Sequence, residues 1–242
     1  MSRPVRLIHR GRGKLEKLAA LAGEQWGVVS IAELRACGLT DRVIEGLVHA
    51  GHLHRIHRGV YAVGHPNLTL EGRFLAAVKA SGRGAVLSHL SAAALWQLLP
   101  WDDALRIEVT TPKPRIHPTL HTHTSRSLTA AVRRHNIPVT TPAQTLEDLA
   151  RTRIPDRSLK RATNEALTRR LIDPSKLRHR RLRAAHPAPT RSPLEDIVLD
   201  LILNAGFKRP DVNVPLHIDG RALVPDLRWP AQRLIVEADG AA

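Results

Sequence analysis

Apolar positions near the start of the chain follow helical spacing, and the residues that flank them are typical of helix ends. The spacing predicts a first helix over residues 13–25, with an apolar face that contains Leu15, Leu18, Ala19 and Ala22. Ser30 is followed three residues later by Glu33, and this pair indicates a capping box at the first turn of a second helix. We expect this helix to be short, because Gly38 is a favourable residue at a helix end.

A third helix is predicted directly after the second. Thr40 is expected to cap a helix that runs over residues 41–50 and ends at Gly51. Its apolar stripe consists of Val43, Ile44, Leu47 and Val48. The residues expected to face outward are Asp41, Arg42, Glu45 and His49. Two short helices joined by a tight turn that contains glycine are the helix-turn-helix pattern.

A hairpin is predicted immediately after these helices. Two β-prone runs within residues 53–63 flank Arg58 and Gly59, so residues 1–64 are expected to form a winged helix-turn-helix. The alternative is a small helical domain with a solvated polar face. In the winged-helix interpretation, base edges in the major groove are contacted by Arg42 and His49. The candidates for phosphate contacts on the wing are His54, Arg55, His57 and Arg58.

Residues 65–150 have the pattern of a small α/β domain. The predicted helices lie around residues 74–78, 88–96 and 142–150, and the predicted strands cover residues 106–110 and 120–123. His121 and His123 share one face of the second strand, a spacing that can hold a metal ion. Surface histidines are the favoured interpretation, because the sequence identifies no third ligand nearby. His89 is expected beside a serine cap and receives no role.

Residues 151–191 carry most of the net positive charge of the chain, because they contain 13 basic and only 3 acidic residues. Two helices are predicted over residues 156–183, with a break near Asp173 and Pro174. A solvated helical surface and a second contact with the phosphate backbone explain this density of arginine equally well. Residues 184–192 are rich in proline and alanine and are predicted to form a linker.

The last segment, residues 192–242, reverses the charge, with 5 basic and 8 acidic residues. Ser192 begins a second capping box and predicts a helix that ends near Asn204. A β-hairpin and a buried strand are expected to follow. The hairpin pairs residues 212–214 with 223–227 and turns at Asp219 and Gly220, and the strand covers residues 233–240.

Three carboxylates in this segment are candidates for catalysis. Asp226 closes one predicted strand, while Glu237 and Asp239 lie two residues apart in the next and therefore share a face. Adjacent strand ends would place Asp226 beside them. Clustered carboxylates bind Mg²⁺, which activates water for phosphodiester hydrolysis, so Asp226 and Glu237 are the candidate metal ligands. Glu195 would approach from the preceding helix, although its position is explained by capping alone.

Composition narrows the possible functions. The chain has 242 residues and a formal net charge of +15, an excess that favours double-stranded DNA as a partner over a basic surface that serves only solubility. Aromatic residues make up 3% of the chain, too few to favour recognition of single strands by base stacking. One cysteine excludes an internal disulfide and a cysteine-rich zinc site. No apolar run approaches the ~18 residues of a membrane span, and no signal peptide is recognised, so a cytoplasmic location is expected.

Two resemblances to known families add to these predictions. Residues of about 15–64, through the stretch Leu53 to Val63, resemble the winged-helix N-terminal domain of AbiEi-type antitoxins. Residues 85–150 resemble the segment that follows it in such proteins from actinobacteria, through Ser88 to Trp96, Ile107 to Thr110 and Ile137 to Leu149. In that family the winged helix binds operator DNA and represses the operon, and the remainder counters a nucleotidyltransferase toxin. The resemblance implies DNA binding by Arg42, His49, Arg55 and Arg58.

Residues 192–242 resemble the start of a restriction-endonuclease-like domain of unknown function, related to very-short-patch repair endonucleases of the PD-(D/E)xK type. Pro225 and Asp226 match the first half of the motif, and the stretch from Glu237 to Asp239 matches the second. Asp239 stands where the motif usually has lysine, the residue that polarises the attacking water or the phosphate. Relatives continue with a histidine and further strands and helices, so this domain is expected to be truncated.

Together these observations predict an α+β multi-domain protein. Its parts are a winged helix-turn-helix (1–64), an antitoxin-like α/β domain (65–150), a basic helical region with a linker (151–191) and a partial nuclease-like fold (192–242). The expected function is a DNA-binding transcriptional regulator of the type IV toxin–antitoxin class, without catalysis and with a cognate toxin as partner. The alternative is a Mg²⁺-dependent DNA endonuclease. A homodimer is considered because winged helices that bind half-sites are often dimeric, although the sequence identifies no interface.

Overall fold

The structure is a computed structural model that describes residues 5–125, 131–173, 177–184, 192–218 and 221–238. Helices and several sheets are both present, so the predicted α+β class is confirmed. The chain divides into two compact units, one formed by residues 1–95 and 101–141 and the other by residues 96–100 and 142–242. Within the described ranges, no helix is both long enough and apolar enough to cross a membrane.

The first unit begins with helices and a three-stranded antiparallel sheet in the order of a winged helix. These elements are α1 (Val5–Glu24), β1 (Val28–Ser30), α2 (Ile31–Ala36), α3 (Asp41–His49), β2 (Leu53–His57) and β3 (Val60–Val63). The strand order is β1-β3-β2, so the hairpin of β2 and β3 pairs with the strand that precedes α2. Helix α1 begins well before residue 13, where it was predicted to start. The added residues include Leu7 and three arginines, which favour helix even though the added residues show no clear apolar stripe.

Local capping chemistry sets the start of α2 as predicted. Glu33 N–H donates to Ser30 Oγ at 3.3 Å, and Ser30 N–H donates to Glu33 Oε2 at 2.7 Å, so both halves of the capping box are present. Helix α3 also begins where predicted, but the Thr40 side chain makes no capping hydrogen bond. Its first turn is closed by the backbone bond from Ile44 N–H to Thr40 O at 2.9 Å.

One apolar core lies beneath these elements. Its buried members are Leu18, Ala22, Val29, Leu34, Leu39, Ile44, Leu53 and Tyr61. Leu47 and Val48 pack against this core as predicted, but Val43 is 46% exposed and does not belong to the stripe. The reason is helical geometry, because neighbouring residues differ by about 100° around a helix axis and Ile44 already points inward.

The rest of the first unit is an α/β segment with a five-stranded mixed sheet. Its elements are α4 (Leu70–Ser81), β4 (Val86–Leu87), α5 (His89–Leu95), β5 (Glu108–Thr111), β6 (His121–Thr124), β7 (Ala131–Arg134) and β8 (Ile137–Thr140). The strand order is β6-β5-β4-β8-β7, with parallel pairing in β5–β6 and β4–β8. Of these elements, α4, α5, β5 and β6 were predicted from the sequence, whereas β4, β7 and β8 were not.

Among the described residues of this unit, three hydrogen-bonded contacts hold the winged helix to the α/β segment. Trp26 Nε1 donates to the carbonyl of His135 at 2.8 Å, and Asn136 Nδ2 donates to the carbonyl of Glu24 at 3.0 Å. His135 and Asn136 form the turn between β7 and β8, and both have positive φ (47° and 65°). The third contact is the ion pair between Lys79 on α4 and Glu33 on α2, with a closest distance of 2.6 Å.

The described residues of the second unit form four α-helices and five short strands. The elements are α6 (Pro142–Arg151), α7 (Asp156–Thr168), α8 (Arg180–Ala184), α9 (Pro193–Asn204), β9 (Asp211–Val212), β10 (Leu216–Ile218), β11 (Arg221–Leu223), β12 (Leu227–Trp229) and β13 (Leu234–Val236). Arg181 has a structural role, because its guanidinium pairs with Asp156 and donates to the carbonyls of Ala150, Thr152 and Ile154. Most of the predicted linker, residues 185–191, lies outside the described residues.

The predicted hairpin is present near the end of this unit, but it is divided between two sheets. Strands β10 and β11 pair with each other, whereas β9 pairs with β12 in a separate sheet of order β13-β12-β9. The core of that sheet is formed with α9 by Leu199, Val212, Leu227 and Trp229. Val212 pairs with Leu227, as the predicted pairing of residues 212–214 with 223–227 requires, and this pair buries two apolar side chains against α9.

Candidate nucleic-acid interface

Helix α3 presents the polar side chains that were predicted to reach DNA bases. Arg42 and His49 are both exposed, while Ile44 on the opposite face is 2% exposed and anchors the helix in the core. Val43 adds an exposed apolar side chain beside Arg42, which sequence analysis had assigned to the interior. An arginine and a small apolar side chain are suited, respectively, to guanine edges and to the methyl group of thymine.

An ion pair neutralises the acidic residue at the start of α3. Arg35 Nε and Nη2 each donate to Asp41 at 2.9 Å, so the contact is bidentate. Hydrogen bonding to Arg35 is the main reason that the pKa of Asp41 is lowered, and the carboxylate stays charged. A carboxylate that is already paired repels phosphate less than a lone one does, so this pair removes an obstacle at the helix end expected to enter the groove.

The wing is a short, bulged hairpin with basic side chains along one strand. The register shifts between Arg55 and His57, and Gly59 supplies the positive φ of 72° at the turn. Arg55 and Arg58 are exposed, and the Arg55 guanidinium lies 5.8 Å from the centroid of the Tyr61 ring across the hairpin. This cation–π contact holds the Arg55 stem on the sheet and leaves its charge at the surface.

The two wing histidines are less accessible than the arginines. The ring of His57 meets the ring of His117, from the loop between β5 and β6, edge to face with centroids 5.0 Å apart. Burial lowers the pKa of His57, and the neighbouring His117 lowers it further, so the ring is held neutral near pH 7. Nε2 of His54 lies 3.2 Å from the carbonyl of Gly64. With His57 held neutral, Arg55 and Arg58 supply the permanent positive charges of the wing.

The candidate nuclease carboxylates lie in the second unit. Asp226 N–H donates to Glu237 Oε2 at 3.3 Å, and Ala238 N–H donates to Asp226 Oδ2 at 2.8 Å, which places the two side chains beside each other at the ends of β12 and β13. Asp239, the third candidate, lies outside the described residues. Glu195 is 4% exposed and accepts a hydrogen bond from Asn213 Nδ2 at 2.9 Å, while its backbone N–H donates to the Ser192 cap.

The structure also assembles a cluster that the sequence did not identify. Parallel pairing of β5 and β6 puts Glu108 opposite His121, with His123 two residues further along the same face. Glu108 Oε1 lies 3.2 Å from His123 Nε2 and 3.5 Å from His121 Nδ1. His89, the first residue of α5, stacks on His123 with ring centroids 3.6 Å apart. The missing signal was the register of two parallel strands, which no local pattern reveals.

Glu108 remains ionised in this cluster. Burial raises the pKa of its carboxyl, but hydrogen bonds from His123 and from Leu90 N–H, together with the charge of His89, outweigh that effect and lower the pKa overall. The carboxylate is 8% exposed and accepts the Leu90 N–H at 2.7 Å through Oε2. A buried negative charge is thus held among imidazoles near the N-terminus of α5.

The order of helices and strands, together with the exposed cations of α3 and the wing, defines the N-terminal part as a winged-helix module of the kind that binds DNA. Residues 16–64 match the family model described as "Transcriptional regulator, AbiEi antitoxin", which confirms the predicted resemblance over this segment. The nuclease-like resemblance of residues 192–242 is not confirmed.

The whole chain is also similar to known structures. The crystal structure of the RV2827C protein from Mycobacterium tuberculosis is 17% identical in sequence, with a TM-score of 0.42, and the match covers 80% of this chain and 77% of that one. A search of curated protein sequences found no match.

Proposed function

We propose that this chain is a DNA-binding transcriptional regulator of the antitoxin type, and that α3 and the wing bind its operator. The observation that carries the proposal is the set of exposed cations on a winged helix whose sequence matches an antitoxin regulator family. Arg42 and His49 supply base contacts, and Arg55 and Arg58 supply phosphate contacts. His57 makes a weaker contribution at neutral pH, because burial and the neighbouring His117 hold its ring neutral.

A gel-shift or fluorescence-anisotropy titration on the DNA upstream of the gene tests this function. Binding is expected to be at least about a thousandfold tighter there than on random duplex at physiological salt. Equal affinity for the two DNAs at that salt concentration would contradict the regulator function.

Single substitutions separate base contacts from phosphate contacts. Arg42→Ala is expected to cost about 1–3 kcal/mol on the operator and to relax specificity at one base pair. Arg58→Ala is expected to weaken operator and random DNA alike and to reduce the salt slope by about one. Arg83→Ala is the matched control, because it removes the same charge from an exposed position outside the winged helix. A control as damaging as Arg42→Ala would show that only total charge matters.

We further propose that the chain is an antitoxin of the type IV class, which counters a nucleotidyltransferase toxin without catalysing a reaction itself. The match of residues 16–64 supports the antitoxin assignment at the level of that segment. Co-expression with the product of the neighbouring gene, followed by a growth assay and co-purification, tests it. Rescue of growth by the chain is expected even when Arg42 and Arg58 are replaced by alanine, since toxin neutralisation uses other residues.

A Mg²⁺-dependent endonuclease is the second candidate function, and the proximity of Asp226 and Glu237 favours it. Each of these carboxylates already accepts a backbone N–H, and the position that usually supplies lysine is Asp239. Plasmid cleavage with Mg²⁺ or Mn²⁺ distinguishes the candidates. Cleavage by the wild type that is lost in Asp226→Asn would establish the nuclease, and we expect no cleavage by either protein.

A further inference from the structure

The cluster formed by His89, Glu108 and His123 has the composition of a metal site. Each residue offers one ligand atom, and these atoms lie within 4.8 Å of one another, which among the described residues is true of this group alone. Two imidazoles and one carboxylate are a common ligand set for zinc and other first-row divalent ions. His121 stands at the solvent edge of the same group, with its ring centroid 4.4 Å from that of His123.

We propose that His89, Glu108 and His123 bind one divalent transition-metal ion such as Zn²⁺, with His121 as a fourth ligand at the exposed rim. Ligand atoms around tetrahedral zinc are ~3.3 Å apart, as follows from zinc–nitrogen distances of about 2.0–2.1 Å. Glu108 Oε1 and His123 Nε2 already have this separation, at 3.2 Å, so binding has to shorten only the other separations, which are at most 4.8 Å. The two stacked imidazoles rotate to direct their lone pairs at the ion.

The surroundings orient the ligands for this role. Leu90 N–H donates to Glu108 Oε2 at 2.7 Å, while Oε1 faces the histidines. Thr110 Oγ1 donates to Ser88 Oγ at 2.8 Å, and the same hydroxyl oxygen lies 3.0 Å from His89 Nδ1. When Nδ1 donates to Ser88, Nε2 becomes the ligand atom of His89. Such outer hydrogen bonds fix the tautomer of metal-binding histidines.

Electrostatics and backbone geometry support the same conclusion. In the described part of the chain, the ion pairs of Glu108 are with His121 and His123 only, so no lysine or arginine neutralises this buried carboxylate there. A divalent cation would do so. His89 has φ +51°, in the left-handed region that non-glycine residues rarely occupy. Backbone in this region clusters at functional sites, where the surrounding structure imposes it.

The alternative is a hydrogen-bonded cluster that stabilises the β5–β6 pair without a metal. Zinc titration of the full chain, prepared without a histidine tag and stripped with EDTA, decides between the two. A chromophoric chelator as competitor gives the stoichiometry and affinity, and Co²⁺ in place of zinc reports tetrahedral coordination by its visible absorption. We expect one zinc ion to bind tightly per chain. We also expect the Co²⁺-loaded protein to show the strong visible absorption of tetrahedral coordination.

Single substitutions distinguish the proposed ligands from the other histidines of the chain. Glu108→Gln keeps the size of the side chain and an acceptor for Leu90 N–H, and His123→Ala removes a ring that is only half-buried. Each substitution is expected to weaken zinc binding at the high-affinity site by at least about tenfold. Even the replacement of a residue that only hydrogen-bonds to a metal ligand has an effect of this size. His65→Ala, at an exposed histidine of the same unit, is the control and is expected to bind as the wild type does.

Thermal unfolding without metal shows whether each variant is folded. Zinc is expected to raise the Tm of the wild type and of His65→Ala, but not of Glu108→Gln, since ligands stabilise only the state that binds them. The proposal is overturned if no tight equivalent is found. It is also overturned if folded Glu108→Gln and His123→Ala bind zinc as tightly as the wild type, or if His65→Ala loses as much affinity as they do.

Discussion

The carboxylate of Glu33 caps α2 and also forms the ion pair with Lys79 on α4. Replacement of Glu33 by glutamine tests the ion pair separately from the cap. Glu33 Oε2 accepts from Ser30 N–H at 2.7 Å and so closes the cap of α2. Both carboxylate oxygens also lie 2.6 Å from Lys79 Nζ on α4, and Oε1 accepts from Gln25 Nε2 at 3.1 Å. Glu33→Gln keeps an oxygen for the cap but removes the negative charge from the lysine.

The expected loss of stability follows from how far the pair is buried. The side chains of Lys79 and Glu33 are 13% and 29% exposed, so their environment lies between surface and interior. Exposed pairs contribute about 0–1 kcal/mol, whereas removing one partner of a buried pair costs about 3–5 kcal/mol. We therefore expect Glu33→Gln to lower the free energy of unfolding by about 2 kcal/mol, which corresponds to a Tm shift of about 4–8 °C. Glu33→Ala loses the cap as well and costs about 1 kcal/mol more.

Thermal and urea unfolding of the wild type, Glu33→Gln and Glu33→Ala measure this effect. Glu45→Gln on α3 is the control, since it makes the same chemical change at an exposed position and is expected to stay within about 0.5 kcal/mol of the wild type. If Glu33→Gln were no less stable than Glu45→Gln, the ion pair with Lys79 would not stabilise the fold.

Acid provides an independent check on the same carboxylate. Burial raises the pKa of Glu33, but hydrogen bonds from Lys79 and Ser30 and the charge of Lys79 outweigh it, so the pKa in the folded protein lies below the ordinary 4.5. The stabilisation is present above pH 4.5 and is lost as the pH falls through the lower folded value. The gap between the wild type and Glu33→Gln should shrink over that range, and a constant gap would contradict the assignment.

Two further predictions concern the wing and the core. Because burial lowers the pKa of His57 and His117, the unfolded chain binds protons more readily, and stability falls as the pH drops through about 6.5. Unfolding at pH 8 and pH 5.5 should show a smaller loss for His57→Gln than for the wild type, and equal losses would exclude this contact as the cause. Leu34→Ala, at a side chain that is 0% exposed, should cost about 2–5 kcal/mol in urea unfolding. Leu105→Ala, at a residue that is 42% exposed, should cost under about 1 kcal/mol, and similar losses for both would refute the core assignment.

Features that depend on neighbouring residues were predictable from sequence. The capping box of α2 and the turn at Gly59 need only a few consecutive residues, and both are present. Val43 was misplaced because a stripe read from hydrophobicity does not distinguish an interior valine from an exposed one at the edge of that stripe. Exposure of this valine depends on how α3 is rotated against the core.

Features that depend on distant residues were not predictable. Lys79 reaches Glu33 from 46 positions away, and Glu108 meets His121 and His123 only through the register of two parallel strands. Strand β4 has two residues, too few for any alternation to appear. Near the end of the chain, the predicted hairpin is divided into two sheets, one of which packs on α9, and no local pattern shows this division.

The contacts of Trp26 and Asn136 have a practical consequence for anyone who wishes to study the DNA-binding module in isolation. Cutting the chain after Val63 would remove the acceptor of the Trp26 indole and the donor to the Glu24 carbonyl. The cut would further expose the side chain of Trp26, which is already 38% exposed, and exposed apolar surface favours aggregation. A cut that retains residues up to 141 keeps both partners, so a minimal DNA-binding fragment should extend to the end of β8.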